Sequence, residues 1–234
     1  MKERVLGVLG GMSWESTAIY YRLLNQGVAQ RRGGLHSAPL LLHSVDFAPV
    51  AALQAAHDWA GAAALLGNAA ARLREAGAHA LLLATNTMHK VAAEIETTGG
   101  LPLLHIADAT GAALAAAGVR HAALLGTRFT MEDPAIVQDR LLERFGVATA
   151  VPDAAGRALM HDVIYSELCR GVINDRSRAA VLGLIAALQA QGAQAVILGC
   201  TEITLLIDAT CSPLPVFDTT ALHAAAAVSW LLGE

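Results

Sequence analysis

GAHALLLAT at 77–85 and GAQAVILGC at 192–200 are the two stretches that decide the fold of this 234-residue chain. Each begins with a glycine after a helical pattern, continues as an apolar run and ends in a small side chain that carries a hydroxyl or a thiol. Nearly continuous runs of Leu, Val, Ile and Ala are typical of strands covered on both faces, as in a parallel sheet between helices. The two stretches lie 115 positions apart (192 − 77), close to half of the chain.

Two further pairs of segments repeat at nearly the same offset. RVLGVLG at 4–10 parallels RHAALLG at 120–126, and LPL at 101–103 parallels LPV at 214–216. One pair of short apolar strands can match by chance. Three pairs in the same order, with offsets between 113 and 116, indicate that the chain is an internal duplication.

Helical patterns separate the apolar runs. We predict strands at 5–9, 40–43, 79–83, 102–106, 122–125, 195–198 and 215–217. We predict helices at 15–31, 58–76, from near Pro134 to Gly146, at 177–191 and at 219–232; each ends at or near a glycine. This alternation predicts an α/β protein with mainly parallel sheets flanked by helices.

The duplication predicts two similar lobes related by a pseudo-twofold axis. Residues 1–100 and 219–234 would form the first lobe and 101–218 the second, with an approximate changeover. Ligands of parallel sheets bind beyond the carboxyl ends of the strands. We therefore expect the active site in a cleft between the lobes, with the equivalent strand ends Thr85 and Cys200 on opposite sides.

The composition excludes several classes of protein. Hydrophobic residues make up 55% of the chain and charged residues 15%, which excludes disorder. The net charge of −4 predicts no nucleic-acid partner. The longest uncharged run, 179–201, has Gln189, Gln191, Gly192 and Gln194 near its middle, so a helix followed by a buried strand explains it better than a membrane span. We expect no membrane association.

Cysteine and histidine usage predicts neither a disulfide framework nor a metal site. The chain has three cysteines, an odd number, and no CxxC pair. The nine histidines show no H-x-x-x-H spacing. These patterns favour a cytoplasmic protein, in which we expect Cys169 and Cys211 to be inert packing residues.

Cys200 is the first candidate for chemistry. It lies in GCTE at 199–202, after an apolar strand and before a predicted helix. A helix N-terminus lowers the pKa of a thiol below its usual value of about 8.5 and also suits a carboxylate ligand. The alternative is a small buried side chain, which is the commonest fate of an unpaired cysteine.

Two other segments follow predicted strands. Thr85, Asn86 and Thr87 could hold a carboxylate or simply cap a helix. The glycine turn at 10–14 does not complete GxGxxG and is not a P-loop, so we interpret it as a tight turn near the site rather than a nucleotide-binding loop.

Together these motifs resemble the aspartate/glutamate racemase family, specifically its aspartate racemase-like branch. The resemblance rests on GVLGGMSWEST at 7–17, TNT at 85–87, GCTE at 199–202, LHSVDF in the 35–47 region, LLGTRFTME at 124–132 and LPVFDT at 214–219. It implies two α/β lobes, a homodimer, an amino-acid substrate and no cofactor, neither pyridoxal phosphate nor metal.

The resemblance also implies roles for residues. Cys200 corresponds to the second-lobe cysteine, which removes the α-proton of the L-amino acid. The first-lobe cysteine position holds Thr85, so Thr85, or water beside it, would return a proton to the opposite face. Substrate-binding roles are implied for Asn86, Thr87 and Thr201 at the α-carboxylate, for Met12 and Ser13 in the adjoining loop, and for Gln54.

The substrate side chain is less defined. The resemblance implies basic residues at a distal carboxylate, but residues 44–50 lack an arginine, and Cys169 stands where the resemblance implies a lysine. We therefore predict an amino-acid racemase for aspartate, glutamate or a broader set of amino acids.

Two other functions are considered. Arylmalonate decarboxylase-like relatives share the fold and use only the second-lobe cysteine, here Cys200, as a proton donor. A second alternative is a non-catalytic amino-acid-binding protein, which would bind a ligand without exchanging its α-proton.

Overall fold

The computed structural model describes residues 4–234, which form two compact units. The first unit contains residues 4–105 and 223–234, and the second contains residues 106–222. Within each unit, helices pack on a four-stranded parallel sheet.

The sheet of the first unit has the strand order β2-β1-β3-β4. Its strands are β1 (Leu6–Gly10), β2 (Leu40–Ser44), β3 (Ala80–Leu83) and β4 (Leu103–Leu104). Its helices are α1 (Trp14–Arg32), α2 (Phe47–Ala55), α3 (Trp59–Glu75), α4 (Ala92–Gly99) and the part of α10 (Thr219–Leu232) from His223 onward. All strand pairs are parallel, so their carboxyl ends lie along one edge of the sheet.

Both faces of this sheet are covered by apolar clusters. One face carries Leu9, Leu81 and Leu83 of the central strands against α3 and α4. On the other face, the alternate residues of the same strands, including Leu82, pack against α1 and α10. Burial on both faces explains why these strands show continuous apolar runs.

The second unit repeats this arrangement with the strand order β6-β5-β7-β8. Its strands are β5 (His121–Leu125), β6 (Ala148–Ala150), β7 (Ala195–Leu198) and β8 (Val216–Asp218). Its helices are α5 (Ile106–Ala116), α6 (Arg128–Glu132), α7 (Gln138–Phe145), α8 (Ala154–Asp162) and α9 (Asp175–Ala190). One π-helical turn, Val163–Glu167, continues from α8.

The predicted α/β class with two similar lobes is confirmed. The repeated stretches at 77–85 and 192–200 contain β3 and β7, which occupy the same place in the strand order of their sheets. The other two pairs contain β1 with β5 and β4 with β8, again in equivalent places.

Several elements differ from the sequence prediction. The strand predicted at 102–106 covers only Leu103–Leu104, because Ile106 begins α5. The short edge strand β6 was not predicted, nor were five helices: α2, α4, α5, α6 and α8. Among residues 4–234, no helix is both long enough and apolar enough to cross a membrane.

Candidate active site

The carboxyl end of β3 holds Thr85, Asn86 and Thr87. After the strand, the Thr85 amide donates to the Leu83 carbonyl at 2.9 Å, and the chain turns into a 3₁₀ helix over Thr87–Val91. Thr85 is half-buried, whereas Asn86 and Thr87 are buried. Nδ1 of His89, one turn further on, donates a hydrogen bond to the Thr85 carbonyl at 2.8 Å.

The turn after β1 lies next to this segment, because β1 and β3 are parallel neighbours. Gly11 has φ of 93° and lies so close to β2 that an added Cβ would come within 2.2 Å of the Val45 carbonyl oxygen. Only glycine fits there. Met12 is buried in the cluster that contains Met88. Ser13 caps α1, with Oγ accepting from the Ser16 amide at 3.2 Å.

Gln54 lies near the end of α2 and is buried. Its Nε2 donates to the sulfur of Met88 at 2.8 Å. The structure therefore brings Gln54 against the 3₁₀ helix that follows Thr85, within the first unit.

A group of buried aromatic rings packs next to the segment that contains Thr85. The ring of His89 lies 4.5 Å from that of His105 and 5.7 Å from that of His223. Nε2 of His223 lies 2.7 Å from the Leu104 carbonyl, which can only accept, so the imidazole proton is on Nε2 and Nδ1 accepts from the Tyr20 hydroxyl at 3.0 Å. Sequence reasoning did not single out these histidines.

The rings of His89 and His223 are neutral. Burial holds the pKa of His89 well below its usual value, and the repulsion that protonated His105 and His223 would exert on it lowers that pKa further. Burial lowers the pKa of His223 to about 4. Burial penalises the charged imidazolium, and the hydrogen bonds to backbone carbonyls, which favour the charged form, offset only part of that penalty.

Cys200 and Thr201 lie at the carboxyl end of β7 in the second unit. The Gly199 amide donates to the Leu125 carbonyl of β5 at 2.7 Å, which fixes the end of the strand. Cys200 is extended and half-buried, and a 3₁₀ helix follows over Thr201–Leu205. The Cys200 thiol donates to Oε2 of Glu202 at 2.8 Å, and the Thr201 hydroxyl donates to the same oxygen at 2.6 Å.

The pKa of Cys200 is not lowered in the way that a helix N-terminus lowers the pKa of a thiol. The pKa of this thiol is raised well above its usual value, first by burial, then by the negative charge of Glu202 and the hydrogen bond to it. The element after Cys200 is a five-residue 3₁₀ helix, which has a much weaker dipole than a long α-helix. Cys200 is therefore a protonated thiol at neutral pH.

The π-helical turn places Tyr165 near Cys200. The ring of Tyr165 lies 4.6 Å from that of His161. Burial raises the pKa of Tyr165, and the charges of Cys200, Cys169 and Glu202 raise it further, so these groups share one electrostatic environment. π-helical turns are frequent at functional sites, but no sequence pattern reveals one in advance.

The expectation that Cys169 and Cys211 are packing residues is wrong, because both are exposed. In the part of the chain that the structure describes, no group of three or more His, Cys, Asp or Glu side chains is arranged to hold a metal ion.

The sequence model of the Asp/Glu/hydantoin racemase family matches residues 9–227, nearly the whole chain. The chain belongs to this family. It is therefore a racemase, an enzyme of the isomerase class.

Solved structures agree with the assignment. A putative Asp/Glu racemase from Yersinia pestis is 52% identical, with a TM-score of 0.93 over 98% of this chain and 99% of that one. An aspartate racemase homologue from Pyrococcus horikoshii OT3 is 29% identical, with a TM-score of 0.82 over the full length of both chains. An aspartate racemase from Picrophilus torridus, at 20% identity and a TM-score of 0.72 over 98% and 94%, shares the fold.

The proposed site residues thus form two groups in this racemase. The first unit gathers Met12, Ser13, Gln54, Thr85, Asn86 and Thr87 around the ends of β1 and β3. The second unit holds Cys200 and Thr201 at the end of β7, together with Glu202. Sequence reasoning identified Glu202 only as part of the GCTE motif. The structure shows that the carboxylate of Glu202 contacts the Cys200 thiol.

Proposed function

We propose that this racemase acts on amino acids without pyridoxal phosphate or metal, by removing the α-proton from one face and returning a proton to the other. Cys200 deprotonates the L-enantiomer. Thr85, or water beside it, serves the opposite face. Inversion requires two different groups, because one base confined to one face can only return the original enantiomer.

The observation that carries the proposal is the position of Cys200. It follows a buried central strand, is half-buried, and its thiol is hydrogen-bonded to a carboxylate. A structural cysteine needs no such partner, whereas a proton-transfer group does. The equivalent end of β3 carries Thr85, as the repeated strand order supports.

Substrate binding is assigned to the residues that surround these two side chains. Asn86, Thr87 and Thr201 would hold the α-carboxylate, and Met12, Ser13 and Gln54 would line the site. Fixed donors at the carboxylate lower the energy of the carbanion that forms when the α-proton leaves. We propose aspartate and glutamate as the first substrates to test, with a broader range open because Cys169 replaces an expected lysine.

The decarboxylase alternative keeps one supporting observation. A protonated Cys200 thiol is also what a proton donor to an enediolate needs. Carbon dioxide release from an arylmalonate would identify that activity. Binding of an amino acid without any α-proton exchange would instead identify the binding protein.

The test of the proposed function is α-proton exchange in deuterium oxide. L- and D-forms of aspartate, glutamate, homoserine and neutral amino acids are incubated with the protein, NMR follows the α-hydrogen signal, and chiral chromatography follows inversion. We expect exchange from L-substrates to be faster than inversion, because Thr85 is a poorer proton donor than a thiol. Equally fast exchange from D-substrates would contradict the assignment of Cys200 to the L-enantiomer. The absence of exchange from every amino acid tested would contradict the proposed amino-acid racemase function.

A homodimer in the cytoplasm remains part of the proposal. Supporting the dimer, the first unit exposes Trp14, Tyr21 and Leu42 around a depression of about 400 Å³ beside the edge strand β2. Exposed patches that contain several large apolar side chains commonly mark protein interfaces.

A further inference from the structure

The carboxylate of Glu202 contacts the atom that performs the proposed chemistry. Its Oε2 accepts from the Cys200 thiol at 2.8 Å and from the Thr201 hydroxyl at 2.6 Å. The 3₁₀ turn holds this arrangement, because the Ile203 amide donates to the Cys200 carbonyl at 3.2 Å. A carboxylate held at this distance can accept the thiol proton without any movement of the backbone.

The contact limits the charge that the two side chains can carry. A thiolate and a carboxylate this close together repel each other strongly, so the pair holds one proton and one negative charge. The other groups that act on Cys200 come from the neighbouring turns, Cys169 and Tyr165, and neither can become positive. Within this group, only movement of the proton to Glu202 produces a thiolate without adding a second negative charge.

We propose that Glu202 is a catalytic residue that accepts the thiol proton of Cys200 when Cys200 acts on an L-amino acid. This inference rests on the proposed racemase function. In this proposal, the Glu202 carboxylate is the group that converts the protonated Cys200 thiol into a thiolate base.

The proton transfers balance as follows. The S–H bond of Cys200 breaks as an O–H bond forms on Oε2 of Glu202. The thiolate then takes the α-proton, so the Cα–H bond breaks, a new S–H bond forms and the electron pair stays on the substrate carbanion. A hydroxyl on the opposite face, from Thr85 or water, donates its proton to Cα. Water then removes the proton from Glu202 and restores one to the opposite side, and the reverse reaction follows the same steps backwards.

The test variant is Glu202→Gln, which keeps the shape of the side chain and removes its charge and basicity. Two measurements are made from pH 6 to pH 10. The first is the rate of α-proton exchange from L-aspartate. The second is the alkylation rate of Cys200 by iodoacetamide, followed by peptide mass spectrometry, with the exposed Cys211 in the same chain as an internal standard.

We expect kcat of Glu202→Gln at pH 7 to fall by about 100-fold, the usual size of one general-base contribution, with little change in KM. The loss should shrink as the pH rises through the range in which a thiol ionises by itself. Alkylation of Cys200 should reach its midpoint at a lower pH than in the unaltered protein, because the neighbouring charge is gone. Glu202→Asp should recover part of the rate at pH 7, and Glu143→Gln, an exposed change on α7, should match the unaltered protein.

Two results would overturn the proposal. One is an unchanged exchange rate at pH 7 in Glu202→Gln. The other is a loss of the same size at every pH with no change in the alkylation midpoint, which is what a merely structural role produces. If the unaltered protein exchanges no α-proton, the proposed function fails separately. The alkylation midpoint then decides whether the pair shares a proton: a lower midpoint supports the shared proton, and an unchanged midpoint overturns it.

Discussion

Thr85 and Cys200 occupy equivalent places at the ends of β3 and β7 but differ in acidity. A threonine hydroxyl needs an activating group before it can act as a base, whereas a thiol ionises within reach of neutral pH. This difference in acidity is why we expect faster α-proton exchange from L-amino acids than from D-amino acids. The proposed enzyme removes protons readily from one face and returns them slowly to the other.

Thr85→Cys tests this explanation at the level of one residue. A second thiol should raise the rate of α-proton exchange from D-aspartate by about 10-fold or more, since it replaces a weak acid/base group with a competent one. Exchange from L-aspartate should change little. NMR in deuterium oxide measures both rates.

The control is Thr97→Cys, which adds a thiol at an exposed position of α4 in the same unit. It should leave both rates as they are. An unchanged rate from D-aspartate in Thr85→Cys would show that position 85 does not serve the second face.

The sequence predicted which residues lie at the strand ends but not which hydrogen bonds their side chains make. The position of Cys200 follows from the apolar run before it. Its raised pKa does not, because that depends on the turn that brings the Glu202 carboxylate to 2.8 Å from the thiol. Cys169, which is exposed, lies two residues after the π-helical turn, an element that sequence reasoning did not predict.

Among the elements, the buried rings of the first unit link α1, α10 and the end of β4 to the Thr85 segment. His89 and His223 are neutral in the folded protein, and both have a lowered pKa. The unfolded chain binds protons at these histidines near pH 6.5. The folded chain resists protonation until the pH falls much further.

Stability should therefore decrease as the pH falls below about 6.5. For His223 the decrease continues to its folded pKa of about 4 and amounts to about 3 kcal/mol in the free energy of unfolding. Urea denaturation at a series of pH values measures this. His223→Gln should show a shallower decrease over the same range, even if it is less stable at pH 7.

His36→Gln, at an exposed histidine, is the matched control and should keep the pH dependence of the unaltered protein. If His223→Gln loses stability between pH 6.5 and 4 as steeply as the unaltered protein, the buried rings are not the source of the effect.

The strands were largely predictable because continuous apolar runs mark buried parallel strands. The elements that sequence reasoning missed have weak patterns for physical reasons. The edge strand β6 has only three residues, Ala-Thr-Ala, and no apolar run. Helix α5 is rich in alanine, so polar and apolar positions do not alternate around it with a clear period.

For the whole molecule, the repeated strand order makes each unit a version of the other, and the proposed reaction uses one acid/base group from each. The internal repeat at offsets of 113 to 116 predicted this duplication. The oligomeric state is independent of the repeat and must be measured.

Trp14→Glu tests the proposed dimer. Trp14 is 69% exposed, and a buried carboxylate without a partner would be costly at an apolar interface. We expect the unaltered protein to have twice the chain mass by size-exclusion chromatography with light scattering, and the variant to shift toward the monomer. Leu142→Lys, at an exposed leucine of the second unit, should remain dimeric. A monomeric unaltered protein would contradict the dimer.

Replacing Cys200 tests whether this residue removes the α-proton of an L-amino acid. α-Proton exchange from L-aspartate and L-glutamate in deuterium oxide is measured for the unaltered protein, for Cys200→Ser and for Cys211→Ser, which changes an exposed cysteine. We expect Cys200→Ser to lower the exchange rate by about 10²- to 10⁴-fold and Cys211→Ser to leave it unchanged. Exchange that persists at the unaltered rate in Cys200→Ser would contradict this role of Cys200.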